Sequence, residues 1–236
     1  MAGGEKVQDA SPLPGDPLTA PQRATITRVL ELLREERASV SSVTEPDRAW
    51  RVHVADSLTG LEVEPLRKAH RIADIGSGAG FPGLVLAVAL VDSQLDLIES
   101  VGRKCEFIRR AIAVAGIGNA RVLNQRSEAL AAGEGRESYD AVTARAVGRL
   151  STLAELASPL LREGGVLVAW KGRRDADEEA QLRNAAEELA MQPEQILAVG
   201  PYAGSEHRHL HVVRKAGPTP PGLPRRAGMA KKRPRG

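Results

Sequence analysis

The sequence has almost no cysteine. Cys105 stands alone among 236 residues, which excludes an internal disulfide framework and any cysteine-based zinc site. It also has no long apolar run. The longest, around Phe81 to Val91, is about half of what a bilayer requires, so no membrane span is expected. The N-terminus, MAGGEKVQDA, lacks a basic start followed by an apolar stretch and does not read as a secretory signal. A P-loop is missing too, since no G-x-x-x-x-G-K-[ST] occurs. These absences make a cytoplasmic protein the simplest expectation. The apolar share of 42% is enough for a sizeable core in one domain with extensions.

The charge is unevenly distributed. The whole chain is +3, but residues 216–236 hold six basic residues and no acidic one, which leaves the rest at −3. The segment PRRAGMAKKRPRG is therefore the main electrostatic feature. Such tails contact nucleic acid, or simply stay solvated. RNA contact is the expectation here, with the tail separate from the folded body.

Proline and glycine punctuate residues 1–22, which read as a disordered leader. Ile26, Val29, Leu30 and Leu33 then recur at helical spacing, so a helix is predicted to about Arg37. A second helix is predicted from Pro46 to about Leu61, with Trp50, Val54, Leu58 and Leu61 on its apolar face. These form a helical extension over 23–66. From Arg71 short apolar strands alternate with longer helical segments. Strands are predicted at 71–75, 94–99, 120–124, 139–143 and 164–170. Helices are predicted near 81–91, 102–116, 126–132 and 149–162. This alternation predicts βαβ units and a parallel sheet. A charged helix follows (175–190), and then strands near 195–199 and 208–214 that would close as a hairpin. The expected class is α/β, with a seven-stranded, mostly parallel sheet over 67–215 and helices on both faces.

The first strand runs into RIADIGSGAGFPG. Gly76, Gly78 and Gly80 permit positive φ and close approach of a ligand to the backbone. The spacing G-x-G-x-G differs from the G-x-G-x-x-G of dinucleotide folds. Asp74, two residues upstream, would repel a pyrophosphate and tolerate the ammonium group of a methionine moiety. Glu99 ends the next strand, where a carboxylate can accept hydrogen bonds from both ribose hydroxyls of an adenosine. Ser127 and Glu128 follow the third strand, in the loop that borders an adenine in such folds. Strand-end solvation or helix capping would explain Asp74 or Glu99 taken singly. The ordered set points to S-adenosylmethionine.

RIADIGSGAGFPGLVLA, LIESVGRKCEFI, TARAVGRL and VAWKG together resemble the RsmG (GidB) family of 16S rRNA guanine-N7 methyltransferases. The resemblance extends upstream through SVTEPDRAWRVHVADSL and downstream to PRRAGMAKKRP, covering roughly residues 38–235. It implies a Rossmann-like class I methyltransferase fold with 16S ribosomal RNA or the small ribosomal subunit as partner. It also implies cofactor contacts at Gly76, Gly78 and Phe81, at Glu99 and Ser100 by the ribose, at Ser127 and Glu128 by the adenine, and at Arg145 near the methionine end. The family has Arg immediately before the His of RVHVADS. Here Val52 holds that place and Arg51 precedes it, which puts any role of that arginine in doubt.

Other residues carry plainer readings. His53, Asp56 and Ser57 share a helix face, but guanine N7 has a free lone pair and needs no base, so a packing role for His53 is expected. Arg103, Lys104, Arg109 and Arg110 read as a solvated face, Phe107 and Trp170 as core, and Cys105 as inert. Lys171 and Arg173 follow the fifth strand and are expected to contact RNA phosphate. Direct in-line methyl transfer asks for no catalytic nucleophile and no metal, and a monomer is expected. The rival readings are a methyltransferase acting on a protein or small molecule, which salt-insensitive RNA binding would favour, and a non-catalytic RNA-binding or assembly module, which S-adenosylmethionine binding would exclude.

Overall fold

The computed structural model describes residues 17–36 and 40–236. Residues 1–16 of the leader and the predicted end of the first helix at Arg37 lie outside the described residues. Helix α1 (Ala20–Glu35) starts earlier than the leader reading allows, because Thr19 caps it. The Gln22 amide donates to Thr19 Oγ1 (3.4 Å) and the Thr19 amide to Gln22 Oε1 (2.9 Å). Pro21 fits the first turn, where its missing N–H removes no bond.

The predicted second helix is a composite. Pro46–Ala49 (α2) passes into a π-helical stretch, Trp50–Ala55, and then into Asp56–Leu58 (α3) and a 3₁₀ turn, Thr59–Glu62. Periodicity fixes the apolar face but cannot distinguish 3.6 residues per turn from a local π-bulge. Glu64–Arg67 (α4) leads into the sheet.

The sheet follows the predicted alternation: β1 (Arg71–Ile75), α5 (Gly83–Ala89), β2 (Gln94–Ile98), α6 (Gly102–Ala115), β3 (Ala120–Leu123), α7 (Ser127–Ala131), β4 (Tyr139–Arg145), α8 (Leu150–Ala157), β5 (Leu161–Lys171), α9 (Ala176–Ala185), β6 (Met191–Val199) and β7 (Arg208–Lys215). Seven strands lie in the order β3-β2-β1-β4-β5-β7-β6. The first five are parallel, while β7 is antiparallel to both neighbours and so sits between β5 and β6. The predicted hairpin is present, inserted through its second strand.

Side chains alternate between two cores. Ile72, Leu95, Leu97, Ala141, Val166 and Val168 face α1, α5 and α6. Ala73, Ile75, Val142, Ala144 and Leu167 face α8 and α9. Buried on both faces, these strands read as the continuous apolar runs expected of a covered parallel sheet. Helix α6 buries Cys105, Ile108, Ala111 and Ala115 and stops at Gly116, whose φ of 69° suits the left-handed cap.

The C-terminal segment corrects the reading of a separate, solvated tail. Leu223 is buried, and its carbonyl accepts from Arg136 (3.0 Å). The Thr219 amide donates to Glu137 (2.7 Å). A short helix, α10 (Met229–Lys232), lies against α8. The tail folds back onto the body, where the buried Glu155 carboxylate pairs with its Arg225. No helix among the described residues is long and apolar enough to cross a membrane.

Candidate functional site

The strand order reverses beside β1, with β2 on one side and β4 on the other. Crevices for ligands open at such a point, outside the carboxyl ends of the strands. A cavity of about 390 Å³ occurs there, with Gly76, Glu99, Ser100, Ser127 and Glu128 in its wall. Five of the predicted cofactor residues therefore meet around one opening.

Glu99 is buried and holds two backbone amides, Gly78 N–H on Oε2 (3.0 Å) and Val101 N–H on Oε1 (2.8 Å). The carboxylate thus fixes the glycine loop. Each of its oxygens keeps a second acceptor position. Glu128 accepts from Ser127 Oγ on Oε2 (3.3 Å) and from the Gly228 amide on Oε1 (2.7 Å). Gly76 has φ 67°, and a Cβ there would lie 2.6 Å from Val147 Cγ2. Val147, itself a cavity residue, is brought to the opening by the turn after β4, in which Ala146 takes φ 58°.

Asp74 does not face the opening. It is fully buried. Its carboxylate accepts from Thr143 Oγ1 (2.8 Å) and from the Gly83 amide (3.2 Å), the first residue of α5. Burial pushes its pKa up to about 6, against the opposing pull of these hydrogen bonds. It caps a helix and ties β1 to β4, so it gives no charge selection against pyrophosphate. The glycine spacing alone carries that distinction, because a ribose-binding carboxylate such as Glu99 serves dinucleotides as well.

Gly78, Phe81 and Arg145 do not line this cavity. Gly78 (φ 61°) presents open space beside its Cα and contributes its amide to Glu99. Phe81 is buried and stacks on His53, with ring centroids 4.5 Å apart and 7° between planes. Arg145 donates to the Val52 carbonyl and to Asp56 Oδ2, both at 3.0 Å, and reaches His53 Nδ1 at 3.4 Å. His53 and Asp56 therefore form no direct acid–base pair, because the guanidinium stands between them. Burial, and then the Arg145 charge, lower the His53 pKa to about 4. A neutral ring with Nδ1 accepting and Nε2–H directed at the Val43 carbonyl (3.1 Å) fits both contacts. The predicted packing role for His53 agrees with this geometry.

Lys171 is not a free phosphate contact. Its ammonium donates to Glu178 Oε1 (2.6 Å) and the Gly148 carbonyl (3.1 Å), and its side chain is only 19% exposed. Its charge is neutralised where β5, α8 and α9 meet. Arg173 is exposed and faces His207 Nε2 at 3.0 Å. Trp170 and Phe107 are core residues, and Cys105 is buried with its thiol on the Glu99 carbonyl (3.1 Å).

The sequence reading missed Glu155 and the tail. Glu155 is 3% exposed and receives Arg225 through two bonds, at 2.6 and 2.5 Å. Gly228, Ala230, Lys231 and Lys232 form part of the cavity wall. A signal was available: a lone carboxylate in the apolar helix LSTLAELA needs a buried cation.

The sheet order, with its antiparallel seventh strand, and the cavity at the reversal point define a Rossmann-like methyltransferase of the S-adenosylmethionine-dependent class. The same fold occurs in fibrillarin from Aeropyrum pernix, solved with natively bound S-adenosyl-L-methionine, at TM-score 0.53 and 13% identity over 67% of this chain and 72% of that one. More particularly, the chain belongs to the rRNA small subunit methyltransferase G (GidB) family, whose profile matches residues 24–210. The ribosomal RNA small subunit methyltransferase G of Rubrobacter xylanophilus is 43% identical over 202 residues, 84% of this chain and 77% of the relative. That of Chloroflexus aggregans is 37% identical over 228 residues, covering 93% of each.

Proposed function

We propose that this protein transfers the methyl group of S-adenosylmethionine to N7 of a guanosine in 16S ribosomal RNA, in the cytoplasm, acting on the RNA or on the small ribosomal subunit. The observation that carries the reading is the Glu99 cavity. Its volume of about 390 Å³ lies within the roughly 300–1,000 Å³ range of small-molecule sites. The two acceptor positions left on the Glu99 carboxylate match the two hydroxyls of a ribose. Ser100 borders that ribose, and Ser127 and Glu128 border the base.

The cofactor supplies an electrophilic methyl on a sulfonium. The chain's own residues bind and orient. Gly76 brings backbone against the ligand without a side chain between them. Glu99 holds the loop and the ribose together. No residue has to act as nucleophile or base, because guanine N7 carries its own lone pair. Holding two reactants in line contributes roughly 7–11 kcal/mol in well-oriented systems. N7 lies in the deep, narrow major groove of A-form RNA, so the target guanine must be unpaired or extruded. Arg173 and the exposed Arg226 and Arg233 are the candidate phosphate contacts. The acting unit in this reading is a monomer. The test is mass mapping of methylated 16S RNA from cells with and without the protein, joined to S-adenosylmethionine titration. A 16S RNA with the same guanine modifications in both strains overturns the assignment.

A further inference from the structure

We propose that residues Arg225–Arg235 form a strap that closes the cofactor cavity, that Lys231 and Lys232 are residues of the cofactor site, and that Glu155 is the positioning residue that latches the strap. The proposal rests on reading the cavity as the S-adenosylmethionine site.

Four tethers hold the strap. Arg225 binds Glu155 through both nitrogens and also donates to the Arg233 carbonyl (2.8 Å), which draws the segment into a loop. Arg235 faces the same Glu155 at 3.9 Å and pairs with Glu188. Between these anchors, the Gly228 amide binds Glu128 (2.7 Å) and Thr152 Oγ1 donates to the Ala230 carbonyl (3.2 Å). The strap therefore orients Glu128, the acidic group at the adenine end, while Lys231 and Lys232 complete the wall.

The manner of attachment says that the strap lifts. The preceding segment is fixed by buried Leu223 and Thr219, whereas within the strap only Ala230 is buried. A segment held by a few polar bonds with little apolar burial belongs to the low-stability end of a structure and opens locally. Gly222 and Gly228 have φ of 83° and 80° with open space around them, which suits them to absorb the motion at either side of the Arg225 anchor. Cofactor entry and release then require Arg225 to leave Glu155, and bound cofactor holds the strap down.

The experiment uses S-adenosylhomocysteine as the probe with the full chain, Glu155→Gln, Glu99→Gln and a chain ending at Leu223. Calorimetry should give affinities roughly ten- to a hundredfold weaker for the truncated chain, the range for losing a few charge-assisted hydrogen bonds, and an intermediate loss for Glu155→Gln. In the unaltered protein, the probe should protect Arg226, Lys231 and Lys232 from trypsin and leave cleavage at the exposed Arg173 unchanged. That protection needs no variant, and a merely structural tail would not produce it. If Glu99→Gln weakens binding while truncation does not, or if the probe gives no protection, the strap proposal falls and the cavity assignment stands. If the probe binds all four proteins equally, the cavity assignment falls and takes the strap with it.

Discussion

The two sides of the reversal point treat the same sheet edge in opposite ways. Beyond β1, β2 and β3 the edge borders the cavity, and Glu99 is held by backbone amides that leave its charge and half its acceptor positions available. Beyond β4 the edge is covered by the N-terminal helices. There Arg145 is neutralised by Asp56, and Asp56 also faces Arg208 at 3.7 Å. A charged residue at a strand end thus keeps acceptor positions for a ligand on one side and is a clamp between segments on the other. The difference lies in its partner. Backbone N–H groups orient a carboxylate without cancelling it, whereas an opposite charge cancels it.

The largest effect should come from breaking the covered side. Asp56→Ala leaves Arg145 facing an apolar gap, and losing one partner of a buried pair costs about 3–5 kcal/mol. Urea denaturation should register that loss, and a change below about 1 kcal/mol would show the clamp to be dispensable. On the open side, Glu99→Gln should leave the fold largely intact but weaken S-adenosylmethionine binding by about 1–3 kcal/mol, measured by calorimetry, since the amide can no longer accept from every donor. Wild-type affinity would remove Glu99 from the site.

Within the glycine loop the same contrast can be sharpened. Both Gly76 and Gly78 have positive φ, so alanine strains either by about 1–2 kcal/mol. Only at Gly76 does the added Cβ also meet Val147 at 2.6 Å. Gly76→Ala should therefore destabilise more than Gly78→Ala in paired thermal melts, and the reverse order would mean that Val147 yields freely.

The smallest effect concerns pH. The folded His53 pKa of about 4 lies below its ordinary 6.5, so between these values the unfolded chain binds more protons. Stability is then full above pH 6.5 and falls as pH drops from 6.5 towards 4. At pH 5.5 the loss is about 1.4 kcal/mol. Subtracting the pH–stability curve of His53→Gln should isolate this slope, and parallel curves would mean the ring protonates without hindrance.

Strands β1, β2 and β4 were legible as short apolar runs, whereas β5 and β6 begin at Leu161 and Met191, three and four residues before the predicted 164 and 195, because their first halves are mostly polar or glycine; the β6–β7 pairing was legible as a terminal hairpin. Its insertion beside β5 was not, because sequence spacing does not say which strand of a hairpin meets the older sheet. Gly76, Glu99, Ser100, Ser127 and Glu128 were legible because three consecutive strand ends must lie side by side. The ion pairs of Arg145 and Lys171 were not legible for one reason: their partners, Asp56 and Glu178, sit on other elements, and a strand-end cation looks free until its neighbour is known. The tail was misread most. Its anchors lie 70 and 100 residues upstream; the lone Glu155 signals that a cation is needed but not that the tail supplies it.

The insertion of β7 has a consequence for how the protein comes apart. Strand β6 touches the sheet only through β7, and most of its residues are exposed. An edge strand bonded on one side only is the natural place for the sheet to fray. Deuterium should enter the β6 amides first, well ahead of those of β1 and β2, which are paired on both sides. Strand β3 at the other margin is likewise bonded on one side only, so the sheet loosens at its two margins before it loosens at β1, which carries the glycine loop.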